Sequence, residues 1–587
     1  MNYLESNKKL GSVTPNIAQM LKQNAVKFAD KIVFAEKVNN VYTGIKWNIF
    51  YKNILTLSSS LKKLGFAKGD KMIFYSPNRL EMLQLELAVM ASGGISVPIF
   101  AFFNTDTAKL LIKHSDAKFV ALAGSIQLNN ISSIPDLKNI IVFDEIDLTA
   151  YKRNTTLTAF KELLKGENNT KDELLTNASP DEICLNMYTS GTMGIPKCVQ
   201  LTHQNILSQQ AAMKQLWSVD ENDRFLSYLP WHHSFGGIYE LFAVLCNGAT
   251  MYLESGYGKD AAVILENWKL VKPTIYFSVP RVYQSIYELF KTNPEAEKTF
   301  FHPGLKFVFT AAAPMPEKLS NEFGKRKVLI YEGWGLTETS PCSTVTNPHE
   351  KRETGVVGKP IPGVSIRIAS DGEIQVKGPN VMKGYYKNDE ANNGAFTDDG
   401  WFRTGDIGEI TSGGLKLIAR KDRIFKLSNG EKVIPTDMET LIHGKCHYIA
   451  FAMVEGSGKE YPVALLFPNK KLFENPDYEI SPIEGCFCPR SPEELAKCLR
   501  GCLNDANCAI GQKFSKIKSA VLIDDELSLE KGTLTPSMKA AVKNVVTMYK
   551  EQLENLYENN PVQNEKVFVI KLDDKYPGRI MQLDKVS

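Results

Sequence analysis

The chain has 587 residues, 43% of them hydrophobic and 23% charged. That is too long for one core, and about 150 residues per packed unit gives roughly three or four units. Its 69 basic and 66 acidic side chains leave a formal charge of +3, with no long Lys/Arg run, which argues against nucleic acid as a partner. Met1–Leu10 is polar and reads as no secretory signal, and no apolar stretch is long enough to span a bilayer. The expectation is a cytoplasmic protein with at most peripheral membrane contact.

Short apolar runs bounded by Gly, Pro or polar residues read as buried strands: Ile183–Tyr188, Arg224–Leu229, Thr250–Leu253, Thr274–Val279, Lys306–Thr310 and Lys327–Tyr331. Helical patterns lie between several of them, at Asp260–Leu270 and Val282–Phe290. This alternation predicts an α/β architecture with sheets covered by helices, whose functional loops sit at the C-terminal ends of strands. After Thr354, the segments Ile366–Ile368, Glu373–Val376, Gly408–Ile410 and Leu415–Ile418 predict a small antiparallel β unit. Beyond Arg420 the pattern becomes α+β and ends in a predicted amphipathic helix from Pro536 to about Tyr557.

The strand Ile183–Tyr188 runs into Thr189-Ser190-Gly191-Thr192-Met193-Gly194-Ile195-Pro196-Lys197. Gly191 and Gly194 let backbone approach a polyanion. Thr189, Ser190 and Thr192 offer hydroxyls, and Lys197 offers a positive charge. The combination suits a triphosphate, although Gly-Lys-Ser/Thr is absent and this is no Walker loop. A plain polar turn is the structural alternative. The loop closely resembles the phosphate loop of the adenylate-forming superfamily, which includes acyl- and aryl-CoA synthetases, luciferases and nonribosomal adenylation domains. Met193 and Cys198 depart from the usual Ser/Thr and Gly, which puts one phosphate donor in doubt.

Further motifs follow in the family's order, and their roles are those the resemblance implies. Leu229-Pro230-Trp231-His232-His233 places His233 beside the acyl pocket. Thr310-Ala311-Ala312-Ala313-Pro314 places Ala313 near adenine. In Tyr331-Glu332-Gly333-Trp334-Gly335-Leu336-Thr337-Glu338, Trp334 and Gly335 face the base and Thr337 donates to the α-phosphate. Glu338 shares Mg²⁺ with Thr189, since a carboxylate beside phosphates is repulsive without a cation. Asp406, in Asp399-Gly400-Trp401-Phe402-Arg403-Thr404-Gly405-Asp406, accepts the ribose hydroxyls. Arg420 contacts ribose or phosphate, Asp422 is the hinge, and Lys426 is a further nucleotide contact.

Gly532-Thr533-Leu534-Thr535-Pro536-Ser537-Met538-Lys539 resembles the catalytic-lysine motif. Thr535 reads as an N-cap and Pro536 as the first helical residue, which places Lys539 in the first turns of a helix. A cation there is disfavoured by roughly 0.3–1 kcal/mol. Taken singly, most of these residues have a bland alternative, such as a core histidine, a core aromatic or a surface charge.

Five of the ten cysteines fall between Cys486 and Cys508. Ser491-Pro492-Glu493-Glu494 reads as a capping box, opening a helix whose apolar stripe carries Leu495, Cys498, Leu499, Cys502 and Leu503. Buried hydrophobic cysteines are favoured there over a zinc site, because no Cys-x-x-Cys pair occurs.

The resemblance implies a large N-terminal adenylation domain over residues 1–421, built of subdomains with helix-covered sheets plus the small β unit. A smaller, mobile α+β domain follows over residues 422–587. It implies an ATP- and Mg²⁺-dependent ligase that activates a carboxylic acid as acyl-AMP and passes the acyl group to coenzyme A. Val279-Pro280-Arg281-Val282-Tyr283 and the Asp399–Asp406 segment look most like medium- to long-chain fatty acid enzymes. Three alternatives stay open: an aryl acid, an acyl carrier protein in place of CoA, or a non-catalytic adenylate-binding sensor.

Overall fold

The computed structural model describes residues 3–131, 134, 137–151, 155–166, 177–189, 196–311, 313, 315–353, 355–474, 489–528, 530–535, 539–558 and 564–572. The chain divides into two compact units: Met1–Thr404 with Gly408–Ile418, and Gly405–Ile407 with Ala419–Ser587.

The first unit is built on two large sheets. In the eight-stranded sheet the order is Gly384–Tyr385, Lys197–Thr202, Ile183–Thr189, Ile95–Ile99, Lys71–Tyr75, Phe119–Leu122, Asn139–Val142 and Thr156–Ala159. Its central strands pair in parallel. Along Lys71–Tyr75, Met72, Ile73, Phe74 and Tyr75 are all fully buried. The polar/apolar alternation of a one-sided strand is lost because both faces are covered, and a parallel strand needs such a run. Two of the covering helices, Trp47–Lys63 and Leu80–Ala91, pack against each other.

The second large sheet runs Lys359–Pro360, Cys342–Val345, Leu329–Gly335, Phe307–Thr310, Ile275–Ser278, Arg224–Ser227, Thr250–Leu253, Ile32–Val38 and Val41–Lys46. Five of these are the strands read from sequence between Arg224 and Tyr331, shifted by a few residues at most except that the last runs on to Gly335. Helix Ala261–Val271 starts after Asp260, whose carboxylate caps Ala262 N at 2.8 Å. Helix Pro280–Thr292 opens on the proline and buries Val282, Tyr283, Ile286 and Phe290 at helical spacing. Each such buried side chain contributes roughly 1.5–3 kcal/mol. The Tyr283 hydroxyl donates to the carbonyls of Tyr276 and Phe309, both at 2.9 Å, and so ties the helix to two strands.

The small β unit has five strands, in the order Tyr3–Glu5, Ser365–Ile368, Glu373–Lys377, Phe402–Thr411 and Gly414–Arg420. Sequence patterning missed the first, because Met1–Leu10 is polar. Its strand pairs antiparallel with Ser365–Ile368, with Tyr3 opposite Arg367. The Arg367 guanidinium lies 4.6 Å from the centre of the Trp401 ring.

In the second unit a four-stranded sheet, Ile449–Glu455, Val463–Pro468, Ser519–Ile523 and Val567–Lys571, packs with helices Pro435–Lys445 and Pro492–Ala509. The capping box at Ser491 is corrected in one arm. Ser491 Oγ accepts from Glu494 N at 3.2 Å, while Glu494 reaches past Ser491 to accept from Arg490 N at 2.8 Å. Cys502 is buried and Cys498 half-buried in the apolar cluster beneath this helix, whereas Cys508 is exposed. Cys486 and Cys488 lie outside the described residues.

The expected helix from Pro536 to Tyr557 is also corrected. Helices occupy Val542–Met548 and Lys550–Asn555, with a break at Tyr549. Val545, Tyr549, Leu553 and Leu556 still form one buried stripe. No helix among the described residues is long and apolar enough to cross a membrane.

Candidate active site

Strands Ile183–Thr189 and Lys197–Thr202 run antiparallel, with Thr189 opposite Lys197 and Tyr188 opposite Cys198. The Thr189 hydroxyl donates to the Lys197 carbonyl at 3.4 Å. Ser190, Gly191, Thr192, Met193 and Gly194 lie outside the described residues. The two residues that flank the predicted phosphate loop, Thr189 and Lys197, are therefore held side by side. Cys198 is buried, and desolvation pushes its thiol up to about 12. It is a neutral packing residue at ordinary pH rather than a nucleophile.

Lys197 has a second neighbour. Its Nζ lies 4.9 Å from the centre of the Tyr385 ring, and the Tyr385 hydroxyl donates to Glu338 Oε1 at 2.9 Å. Tyr385 is carried to this position by strand pairing, with Val199 opposite it. Glu338 sits in the 3-10 turn Thr337–Thr339, at the end of the strand Leu329–Gly335. The buried amides of Gln209 and Asn380 hold the stretch after it. Gln209 Nε2 donates to the Cys342 carbonyl at 2.7 Å, and Asn380 Nδ2 donates to the Thr339 carbonyl at 3.0 Å. Thr337 Oγ1 lies 3.2 Å from Ser234 Oγ, next in the chain to His233.

His233 Nδ1 accepts from Phe235 N at 3.3 Å, which leaves Nε2 to carry the proton of a neutral ring. Its neighbour His232 packs against Phe100 with ring centres 5.1 Å apart, and burial pushes its pKa down to about 3. Asn78, itself buried, clamps the start of this segment. Its Nδ2 donates to the Leu229 carbonyl at 2.8 Å, and its Oδ1 accepts from Trp231 N at 3.0 Å.

Ala313 is exposed in the bend after the strand Phe307–Thr310; Ala312 and Pro314 lie outside the described residues. The bend is fastened by Glu332, which accepts from Met315 N at 3.0 Å and pairs with Arg352 at 2.6 Å. Trp334 is 8% exposed and packs at the main core. At Gly335 an added Cβ would overlap the Pro341 carbonyl oxygen, so only glycine fits.

Thr189, Lys197, His233, Thr337 and Glu338 are thus joined within the first unit by direct contacts or single intervening residues, and Gly335 leads into the same turn. Sequence reading missed Tyr385, Asn78, Gln209, Asn380 and Glu332. Glu332 stands inside the quoted Tyr331–Glu338 motif but was given no role there, and the other four lie outside every quoted motif. Tyr385 falls between the predicted strands Glu373–Val376 and Gly408–Ile410, in a stretch to which the sequence reading gave no element.

The remaining predicted residues fall in the second unit. Asp406 is buried between half-buried Gly405 and Ile407, and its Oδ1 accepts from Arg420 Nη1 at 2.9 Å. Arg420 Nε also lies 3.7 Å from Asp422 Oδ1. Asp422 lies in the 3-10 turn Lys421–Arg423, and exposed Lys426 ends the short strand Phe425–Lys426.

Lys539 is not helical. Thr535 N donates to the Lys539 carbonyl at 2.7 Å, and Lys539 N donates to Thr535 Oγ1 at 3.2 Å, ahead of the helix Val542–Met548. Pro536, Ser537 and Met538 lie outside the described residues. Desolvation lowers the Lys539 pKa below that of an ordinary lysine, Asp406 opposes the shift and Arg420 adds to it. The residue is exposed, and solvent screens part of that effect.

Residues 21–386 match the family described as AMP-binding enzyme, and residues 422–561 match the AMP-binding enzyme C-terminal domain. The chain belongs to the AMP-binding enzyme family. It is 26% identical to the long-chain-fatty-acid–CoA ligase FadD15 of Mycobacterium tuberculosis, over 92% of this chain and 97% of that protein. It is 27% identical to long chain acyl-CoA synthetase 3 of Arabidopsis thaliana, over 86% of each. Among solved structures it is similar to the O-succinylbenzoate coenzyme A synthetase of Bacillus subtilis in complex with ATP and magnesium ion. There the TM-score is 0.69 at 22% identity, covering 90% of this chain and 99% of that one. The anthranilate CoA ligase AuaEII in complex with anthranoyl-AMP gives 0.73 at 18% identity, covering 92% and 98%. The two-part α/β architecture read from sequence is that of these adenylate-forming enzymes.

Proposed function

We propose that the chain is an ATP-dependent acid–CoA ligase that takes a medium- or long-chain fatty acid. It joins the acid to AMP with release of pyrophosphate, then transfers the acyl group to the thiol of coenzyme A. The observation that carries the reading is the set Thr189, Lys197, Thr337 and Glu338 gathered at the two ends of one nucleotide loop. The relatives named for long-chain acids support the choice of acid.

A carboxylate oxygen must attack the α-phosphorus of a polyanion, so charge neutralisation is the main catalytic demand. Lys197 meets the phosphates at the loop. Thr337 donates to the α-phosphate, and His233 borders the acid. Ala313, Trp334 and Gly335 form the wall for the base. Asp406, held by Arg420, accepts the ribose hydroxyls, with Lys426 a further nucleotide contact.

The donor set fits Mg²⁺: Glu338 supplies one carboxylate and Thr189 one hydroxyl, both hard oxygens. Among the described residues no three His, Cys, Asp or Glu gather as a metal cage, and Mg²⁺ needs none, because it binds through one or two carboxylates plus substrate phosphates. When bound, the ion offsets phosphate charge. Lys539 adds its positive charge in the adenylation step. The second unit then turns about Asp422 and opens the way for the CoA thiol, a gating step of the kind that often sets turnover.

A panel of octanoate, palmitate, benzoate and anthranilate, each with ATP, Mg²⁺ and CoA, tests the reading by mass spectrometry of the thioester. Octanoyl- or palmitoyl-CoA is the expected product. An aryl-CoA alone would move the substrate class. Adenylate without any CoA ester would point to a carrier-protein acceptor.

A further inference from the structure

Among the described residues, Tyr385 touches both the lysine at the loop and the carboxylate of the Thr337–Thr339 turn. Its ring face lies under Lys197 Nζ at 4.9 Å and its hydroxyl reaches Glu338 Oε1 at 2.9 Å. We propose that Tyr385 is a positioning residue that keeps Lys197 and Glu338 apart and correctly aimed for a metal–triphosphate ligand. The proposal rests on the functional reading above.

A lysine and a glutamate within reach of one ring would otherwise tend to pair. That pair would take the carboxylate from a metal ion and the ammonium from phosphate. The tyrosine gives each a partner that is kept when ligand binds: the quadrupole face leaves the ammonium protons free for phosphate, and one hydrogen bond fixes the carboxylate while its other oxygen faces a metal. The hydrogen bond engages only Oε1, so Glu338 retains acceptor capacity.

Tyr385 is itself fixed on both sides. Its N–H donates to Asn392 Oδ1 at 2.7 Å, and its carbonyl accepts from Asn392 Nδ2 at 2.9 Å. At the other end Met382 N donates to the Glu338 carbonyl at 2.8 Å. The adjacent Tyr386 points elsewhere, donating to Asp116 Oδ2 at 2.6 Å, and so supplies an internal control.

The test compares Tyr385→Phe, Tyr385→Leu and Tyr386→Phe. Binding of Mn²⁺ in the presence of ATP is followed by electron paramagnetic resonance, alongside Mg²⁺ dependence of acid-driven pyrophosphate exchange and thermal melting. Tyr385→Phe keeps the ring and loses the carboxylate contact. Its metal concentration for half-saturation rises about tenfold, the scale of one charge-assisted hydrogen bond, while its ATP affinity at saturating metal stays near wild type. Tyr385→Leu also loses the ring and weakens ATP at saturating metal. Tyr386→Phe binds metal as wild type does. Unchanged Mn²⁺ binding in folded Tyr385→Phe overturns the proposal, as does an equal shift in Tyr386→Phe. If Tyr385→Leu does not fold, the Phe variant decides alone. The resonance measurement needs no turnover. A wild-type chain that binds Mn²⁺–ATP but exchanges no pyrophosphate therefore overturns the functional reading without deciding this one.

Discussion

Asp406 Oδ1 accepts a hydrogen bond from Arg420 Nη1 at 2.9 Å, and the same carboxylate acts on the charge of Lys539. The pair links the predicted ribose carboxylate, the junction arginine and the predicted catalytic lysine, which lie far apart in sequence. It gives a pH prediction. Adenylation that needs the Lys539 ammonium is complete below its pKa and is lost as pH rises through it. Desolvation lowers that pKa, so the alkaline loss sets in below the range of an ordinary lysine. Asp406→Asn removes the opposing negative charge and moves the alkaline limb to still lower pH. Asp406→Glu retains the charge and moves it less. The pH profile of pyrophosphate exchange checks the order of the three proteins.

Lys539→Ala abolishes acid-dependent pyrophosphate exchange, by about a hundredfold or more if one charge is lost from a water-excluded transition state. It leaves acyl transfer from supplied acyl-AMP to CoA close to wild type. Assaying the two half-reactions separately checks this. Equal losses in both would remove Lys539 from its specific role.

Glu332 holds Met315 N and pairs with Arg352. Glu332→Ala leaves both groups without this partner and costs about 1–3 kcal/mol of stability. It also loosens the bend that carries Ala313, so the KM for ATP rises while the KM for the acid does not. Thermal melting and the two KM values are the measurements. A lower Tm with both KM values unchanged would make Glu332 purely structural.

Asn78→Ala frees the Leu229 carbonyl and Trp231 N–H of a buried turn, at a cost of about 1–3 kcal/mol. Because His233 follows directly, the KM for the acid rises and the KM for ATP does not. Asn78→Asp keeps the acceptor for Trp231 N but sets a buried carboxylate oxygen against the Leu229 carbonyl, and melts no higher than Asn78→Ala. If Asn78→Ala shifts both KM values alike, the turn does not act on the acid side alone.

The strands read from sequence, one in the eight-stranded sheet and five in the nine-stranded one, were legible because burial on both faces demands unbroken apolar runs, as in Phe307–Thr310 with its wholly buried FVFT. Helix Ala261–Val271 was legible from Asp260, a side chain able to cap it. The polar strand Tyr3–Glu5 was not, because its partner edge near Arg367 is set only by the fold. The loop at Lys539 was misread for a related reason. Apolar spacing from Val542 onward is helical and Pro536 is a good first helical residue, so the pattern extended backward. The Thr535–Lys539 backbone bond leaves no mark on hydrophobic periodicity. The motif residues could be found by kinship, while Tyr385, Asn78 and Glu332 act through contacts between distant segments, which spacing along one segment does not encode.

The most direct test is exchange of labelled pyrophosphate into ATP by the purified chain, with Mg²⁺ and either octanoate or palmitate. Exchange that requires the acid and vanishes in Lys539→Ala is the predicted result. Absence of acid-dependent exchange across fatty and aryl acids, in a folded protein that binds ATP, would contradict the account.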